Sequence, residues 1–346
     1  MATSTLKVNK IIDQARFTSF HWSILLWCLL IVIFDGYDLV IYGVVLPVLM
    51  KEWSLTSVQA GMLASTAVCG MMIGGILFGA LADRMGRKNV IIICVTFFSG
   101  FTFLGAFASS PLEFGILRFL AGLGIGGVMP NLVALTSEYA PKRIRSTLVG
   151  TMFSGYAIGG ILSALLGSYL VESRGWEIMF LIAGIPLLLL PILWKFLPES
   201  LTFLVKSGKT EQAYRIIKKI APEQLITPQT RLYLEEDNIE TGSSVKALFQ
   251  QGRALSTLMF WICFSMCLLM VYALSNWLPI LMLAAGYSLG KSILFLLALN
   301  VGAIIGAIGG GILSDRFHLK PVILTMIIAG VFALFGLGYN TSTFIL

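Results

Sequence analysis

Nine stretches of the chain run apolar for 20 residues or more, at 23–47, 57–82, 89–109, 112–136, 147–170, 177–197, 256–284, 290–314 and 321–340. At a rise of about 1.5 Å per residue each is long enough to cross a hydrocarbon layer of about 30 Å as a helix. No alternating segments of about ten residues appear, so a β-barrel is not the pattern. The 35 glycines sit mostly inside these stretches. In water they would weaken helices, but in a bilayer small residues let helix backbones approach closely. One longer polar interval runs from 198 to 255. It opens on Pro198-Glu199-Ser200, places Tyr214, Ile216, Ile217 and Ile220 at helical spacing, and continues with Glu235, Glu236 and Asp237. It reads as an amphipathic cytoplasmic connector lying at the membrane surface, too short for a core of its own. The expected organisation is an all-α membrane protein: a six-helix bundle over 1–197, the connector 198–255, and a partial second bundle over 256–346.

Composition agrees, with 57% hydrophobic and 12% charged residues, against about 25% charged in a soluble domain. The net charge of +7 does not point to nucleic acid, because no polar domain carries it. It reports orientation. With the N-terminus inside, Lys51, Arg174 and Lys291 lie outside and Arg118 lies within a span, leaving 20 of the 24 basic residues inside. That bias predicts a multi-pass protein of the inner (plasma) membrane with a cytoplasmic N-terminus. The first 20 residues are polar and the first apolar run is too long for a cleavable leader. The five cysteines all fall in apolar spans. Cys263 and Cys267 share a helix face without a His or carboxylate nearby, so packing is expected rather than a metal site or disulfide.

The chain repeats itself. Leu46-Pro47-Val48-Leu49-Met50 matches Leu278-Pro279-Ile280-Leu281-Met282, and Gly79, Asp83 and Arg84 match Gly311, Asp315 and Arg316, each pair 232 positions apart. Gly70 and Gly74 keep the same register with Gly302 and Gly306. A second copy of the first bundle therefore begins after the connector.

These motifs carry a resemblance. The Gly79-Ala-Leu-Ala-Asp83-Arg84-Met-Gly86-Arg87-Lys88 loop resembles the signature between the second and third helices of the major facilitator superfamily. Arg118-x-x-x-Gly122-x-Gly124-x-Gly126, Glu138-Tyr-Ala-Pro141-Lys-Arg-Ile-Arg145 and Pro198-Glu199-Ser200 resemble further signatures of it. Within the superfamily, Asp35-Gly36-Tyr37-Asp38 resembles the aromatic acid:H⁺ symporters, carriers of benzoate, 4-hydroxybenzoate and related acids. The resemblance implies a major facilitator fold of twelve helices in four three-helix units. Nine are expected here, so the chain reads as C-terminally truncated by on the order of 100 residues. It also implies that the loop residues Gly79, Asp83, Arg84, Gly86, Arg87, Glu138 and Arg145, with Asp315 and Arg316 in the second copy, govern the conformational change.

Three ionisable groups fall deep within spans, where each costs about 3 kcal/mol or more. Arg118, six residues into the fourth span, lies ~9 Å below the outer boundary, and Asp38, nine residues before Pro47, ~13 Å below it. These depths allow both to face one aqueous cavity. Asp35 and Asp38 share a helix face, and two close carboxylates in a low dielectric resist joint ionisation, as a proton carrier requires. Protonation of the pair is expected to free Arg118 for an aromatic carboxylate, after which rocking of the bundles carries both inward. The alternative is a fixed Asp–Arg pair joining the first and fourth helices. The repeat favours function: Asp35 and Asp38 map onto Cys267 and Met270, whereas Pro47, Gly79, Asp83 and Arg84 recur. Tyr37, Tyr42, Tyr156, Tyr272 and Trp277 are candidates for a stacking wall, with Asn131, Asn276 and Asn300 as polar partners.

In the loop, Asp83 is expected to accept from helix N-terminal amides and from Arg84 or Arg87. His318 and Leu319 replace Gly86 and Arg87 in the second copy, so a weaker clamp is expected there. Glu138 is expected to pair with Arg143 or Arg145, and His21 to sit at the membrane interface. The Gly122-x-Gly124 run is read as helix packing, since no strand precedes it to make a dinucleotide site. No Walker motif supplies ATP hydrolysis, and two histidines 297 positions apart cannot form H-E-x-x-H. The expected activity is therefore secondary transport: a monomeric, non-enzymatic importer of an aromatic carboxylate in the lipid bilayer, with no cofactor beyond the proton gradient. The alternative is a proton-coupled carrier of another organic anion or a sugar-like solute.

Overall fold

The computed structural model describes residues 5–221, 231–233, 249–250, 252–284, 286–287 and 289–339. Ahead of the spans, β1 (Thr5–Lys7) leads into α1 (Val8–Gln14). The helices α2 (Ser19–Glu52), α3 (Ser57–Met85), α4 (Arg87–Gly105), α5 (Pro111–Tyr139) and α6 (Arg145–Arg174) fall on the first five apolar stretches. The sixth divides into α7 (Glu177–Ile182) and α8 (Ile185–Phe196). The division falls just before Pro186, which lacks an N–H and is tolerated in the first turn of α8. The short helices α9 (Leu201–Lys206) and α10 (Thr210–Ile220) follow, and β2 (Arg231–Tyr233) pairs in parallel with β1. The second copy comprises α11 (Ala254–Ala284), α12 (Leu289–Phe317) and α13 (Leu319–Tyr339). Among the described residues, eight helical segments are long and apolar enough to cross a membrane. The ninth expected span coincides with α13. The molecule is an integral membrane protein.

Local chemistry sets the helix ends. Thr56 and Gln59 cap α3 reciprocally, and Ser110 caps α5 ahead of Pro111. The turn between α3 and α4 needs φ +91° at Gly86, where a Cβ would also strike the Glu199 carboxylate. Only glycine meets both demands.

Glycines then bring the spans together. Gly70 and Gly74 of α3 press on the backbone of Phe119 and Leu123, and Gly122 and Gly126 of α5 return the contact on Ala67 and Met71. Gly36 of α2 lies on the backbone of Tyr156, and Gly159 of α6 on that of Ile33. Gly124 faces α4 at Cys94 and Phe98, so the run read as helix packing is packing. Two apolar clusters fill the first bundle. One runs through Cys28, Val32, Phe98, Ile125 and Leu135, and the other through Ile41, Leu49, Phe114, Met179 and Phe180. The second copy meets the first where α12 crosses α6, at Gly150 against Ala307 and Gly311 against Ser146. Large apolar side chains such as Ile76, Leu188 and Phe260 cover the outside, as a lipid-facing surface requires.

The connector helix α10 packs on the first bundle. It buries Ala213, Ile217 and Ile220 in the core cluster of the first bundle and turns Arg215, Lys218 and Lys219 outward. The acidic run Glu235, Glu236 and Asp237 lies outside the described residues.

Candidate functional site

The residues from which a site could be built sit on α2, α5 and α6, crossed at glycine contacts. Arg118 Nη1 donates to Asp38 Oδ1 at 2.9 Å, and Nη2 reaches the Asp38 carbonyl at 3.4 Å. The arginine side chain is 5% exposed and the aspartate 1%. Depth arithmetic from the two helix ends anticipated this meeting. Asp35, three residues earlier, is turned to a different neighbour: the Tyr156 hydroxyl donates to its Oδ2 at 2.7 Å. The two carboxylates lie within electrostatic reach of each other. Each has its own partner, one a cation and the other a neutral hydroxyl. Asp35 Oδ1 and Asp38 Oδ2 are buried without a hydrogen-bond partner.

The expected aromatic wall separates into two groups. Tyr37 donates to the Met179 carbonyl at 3.0 Å and Tyr42 to the Ala60 carbonyl at 2.7 Å, both 3% exposed. They tie α2 to α7 and α3 and are closed to a solute. Asn131 donates to Gly127 within its own helix at 2.8 Å, and Asn300 likewise to Leu296. Asn300 also presses its amide on Gly160 of α6. By contrast, Trp277, Asn276 and Tyr272 of α11 line a crevice of about 1,020 Å³, together with Cys69 of α3 and Phe119 of α5. Arg118 and Asp38 are buried and do not line that crevice.

The loop residues form a network other than the one expected. Arg87 pairs with Glu138, and Glu138 also accepts from the Ser200 hydroxyl at 2.8 Å and the Thr202 amide at 2.5 Å. Glu199 accepts from the Lys88 amide at 3.1 Å, and Tyr139 donates to the Glu199 carbonyl at 2.5 Å. Arg145 pairs with Asp13 of the N-terminal segment at 2.6 Å, not with Glu138. Asp83, Arg84 and Arg316 are exposed and form no ion pair among the described residues. In the second copy, Asp315 caps a helix of the first. It accepts from the Ser146 and Thr147 amides at 3.0 and 2.7 Å and from the Thr147 hydroxyl at 2.6 Å, at the start of α6. Asp315 thus joins α12 to the start of α6, where the helix amides are unpaired. Gly79 has open space where a Cβ would stand. His21 is buried, and its Nδ1 accepts from the Thr18 amide at 3.1 Å to cap α2. Cys28 and Cys94 are buried, whereas Cys69, Cys263 and Cys267 are exposed, so the packing expected of all five cysteines holds for two.

Sequence reasoning missed Tyr156 as a partner of Asp35, and Tyr139, Glu199 and Ser200 as parts of the loop network. A signal existed for the first. Gly155 and Gly159 flank Tyr156 and mark the face of α6 that meets α2.

The comparisons agree with this architecture. The Major Facilitator Superfamily model matches residues 28–345. The Benzoate transport protein of Acinetobacter baylyi is 50% identical over 99% of this chain and 74% of its own length. A 4-hydroxybenzoate transporter of the same organism is 36% identical over 95% of this chain and 73% of its own. The xylose transporter XylE from E. coli, in a partially occluded inward-open conformation, superposes with TM-score 0.69 at 22% identity, covering 87% of this chain and 75% of that one. With glycine-packed spans, an internal repeat joined across α6 and α12, and this match over nearly its whole length, the chain belongs to the Major Facilitator Superfamily.

Proposed function

We propose that the protein imports a small aromatic carboxylate of the benzoate type together with protons, by alternating access, across the inner membrane. The observation that carries the reading is the buried Arg118–Asp38 pair in a chain half identical to a benzoate carrier. A guanidinium within a membrane is costly unless a carboxylate or a substrate answers it. Its planar fork matches a carboxylate, so an aromatic acid can exchange with Asp38 for Arg118. Trp277, Asn276 and Tyr272 of the crevice would meet the ring first. Asp35 and Asp38 are the groups available for proton coupling, and the Arg87–Glu138 and Asp315–α6 contacts are the groups available to hold one conformation. The N-terminus, the Arg87 loop and the connector face the cytoplasm in this reading. The protein is read as a non-enzymatic carrier.

Uptake of labelled benzoate by cells expressing the protein tests the reading. Accumulation should collapse when the proton gradient is dissipated and should fall when unlabelled 4-hydroxybenzoate competes. Uptake indifferent to the gradient would remove the symport assignment.

A further inference from the structure

Arg145 stands where the two copies join. It opens α6, whose next two amides, Ser146 and Thr147, receive the Asp315 carboxylate of α12. Glu138, the carboxylate expected for it, is already engaged by Arg87, Ser200 and Thr202. Arg145 Nη2 donates instead to Asp13 Oδ1 at 2.6 Å and to the Ala140 carbonyl at 3.2 Å. Asp13 comes from outside both copies, on α1, a helix of seven residues. So short a helix is not stable by itself. Val8, Ile11 and Ile12 share one face of it and are 1–3% exposed. They join the cluster that holds Ile217 and Ile220 of α10 and Leu148 of α6. Burial of that face fixes α1 on the first bundle and leaves Asp13 off it, against the turn Lys142–Ile144 that precedes Arg145. Ahead of α1, β1 pairs with β2 of the connector, Leu6 opposite Leu232. The segment is thus anchored at both ends, by a strand ladder at one and an ion pair at the other. At the repeat offset Asp13 falls on Val245, so this carboxylate belongs to one half of the repeat only.

Building on the transport reading, we infer that Asp13 is a positioning residue of the gate between the two bundles. Through Arg145 the N-terminal segment 5–15 braces the first turn of α6, so that the Ser146 and Thr147 amides already point to where Asp315 arrives. A carboxylate bound by two amides and a hydroxyl is directional, and it holds only if the turn that carries them is ordered. Without Asp13, Arg145 is tied to the Ala140 carbonyl alone. Ordering of the turn then opposes closure, and the equilibrium moves toward bundles parted at this end.

The test reads the distance between the bundles. Spin labels on Ser207→Cys and Lys320→Cys, both exposed, one in each copy, report it by pulsed electron resonance of the protein in lipid, in a background without the native exposed cysteines. Asp13→Asn should raise the ratio of parted to joined molecules about threefold, the scale of a half-exposed ion pair. Asp13→Glu keeps the charge and should leave the ratio as in the unmodified protein. In an Asp315→Ala background nothing docks on the amides, so Asp13→Asn should change the ratio no further. An unchanged ratio in Asp13→Asn, even with a lower melting temperature, would reduce Asp13 to a part of the fold and overturn the assignment. Parting in Asp13→Glu equal to that in Asp13→Asn, or a full threefold change in the Asp315→Ala background, would overturn it as well. If the unmodified protein moves no benzoate, the substrate reading falls, while the distance ratio still decides whether Asp13 braces the gate.

Discussion

The Arg118–Asp38 pair costs stability to break because each partner neutralises the other in a place water does not reach. Arg118→Gln alone should lower stability by about 3 kcal/mol, since it strands the Asp38 carboxylate. Asp38→Asn together with Arg118→Gln should recover most of that loss without recovering transport. Thermal unfolding in detergent alongside benzoate uptake checks both halves. A double variant as unstable as the single one would mean that side-chain shape, and not charge, holds α2 to α5. Tyr37 and Tyr42 are different in kind. Their hydroxyls are consumed by backbone carbonyls on α7 and α3, so substitution by Phe should cost about 1 kcal/mol each and leave substrate preference unmoved.

At the scale of helices, small residues decide which elements can touch. Gly74→Leu should prevent α3 and α5 from meeting, because the backbone of Leu123 already occupies that space, and folded protein should be lost. Gly79→Ala should be tolerated, since nothing stands within 4 Å of its would-be Cβ. Size-exclusion profiles of the two variants separate these outcomes. The clamp at the start of α6 gives a second contrast. Asp315→Ala removes a carboxylate that accepts from two helix-start amides and should cost about 1 kcal/mol. Asp83→Ala, at the matching position of the first copy, is exposed and should change melting by less than about half as much. Equal losses would contradict the placement of the clamp on the second copy.

For the whole molecule, the basic residues and the loop network gather at one end of the bundle, and Glu52 meets Trp176 at the other at 2.9 Å. With the basic end inside, a membrane-impermeant maleimide added to intact cells should label Ser109→Cys and spare Ser207→Cys, in a background without the native exposed cysteines. Both positions are exposed and lie at opposite ends. The reverse pattern would invert the orientation.

The spans, the repeat and the depths of Asp38 and Arg118 were legible in the chain because they depend on distance along a helix, and a helix converts residue number into position by a constant rise. Hydrophobic length marks where each span lies, and the glycine spacing marks which face will pack. What a side chain meets across a helix interface follows from rotation and crossing angle, which no single span encodes. Hence Asp35 and Asp38, neighbours on one face by spacing, take different partners, Tyr156 from α6 and Arg118 from α5. Hence also Asp83 and Asp315, equivalent in the repeat, ended differently, since only Asp315 has the unpaired amides of α6 within reach among the described residues. Sequence determined which groups this membrane protein carries and at what depth, and tertiary packing alone decided which of them lost their charge partners to the bilayer interior.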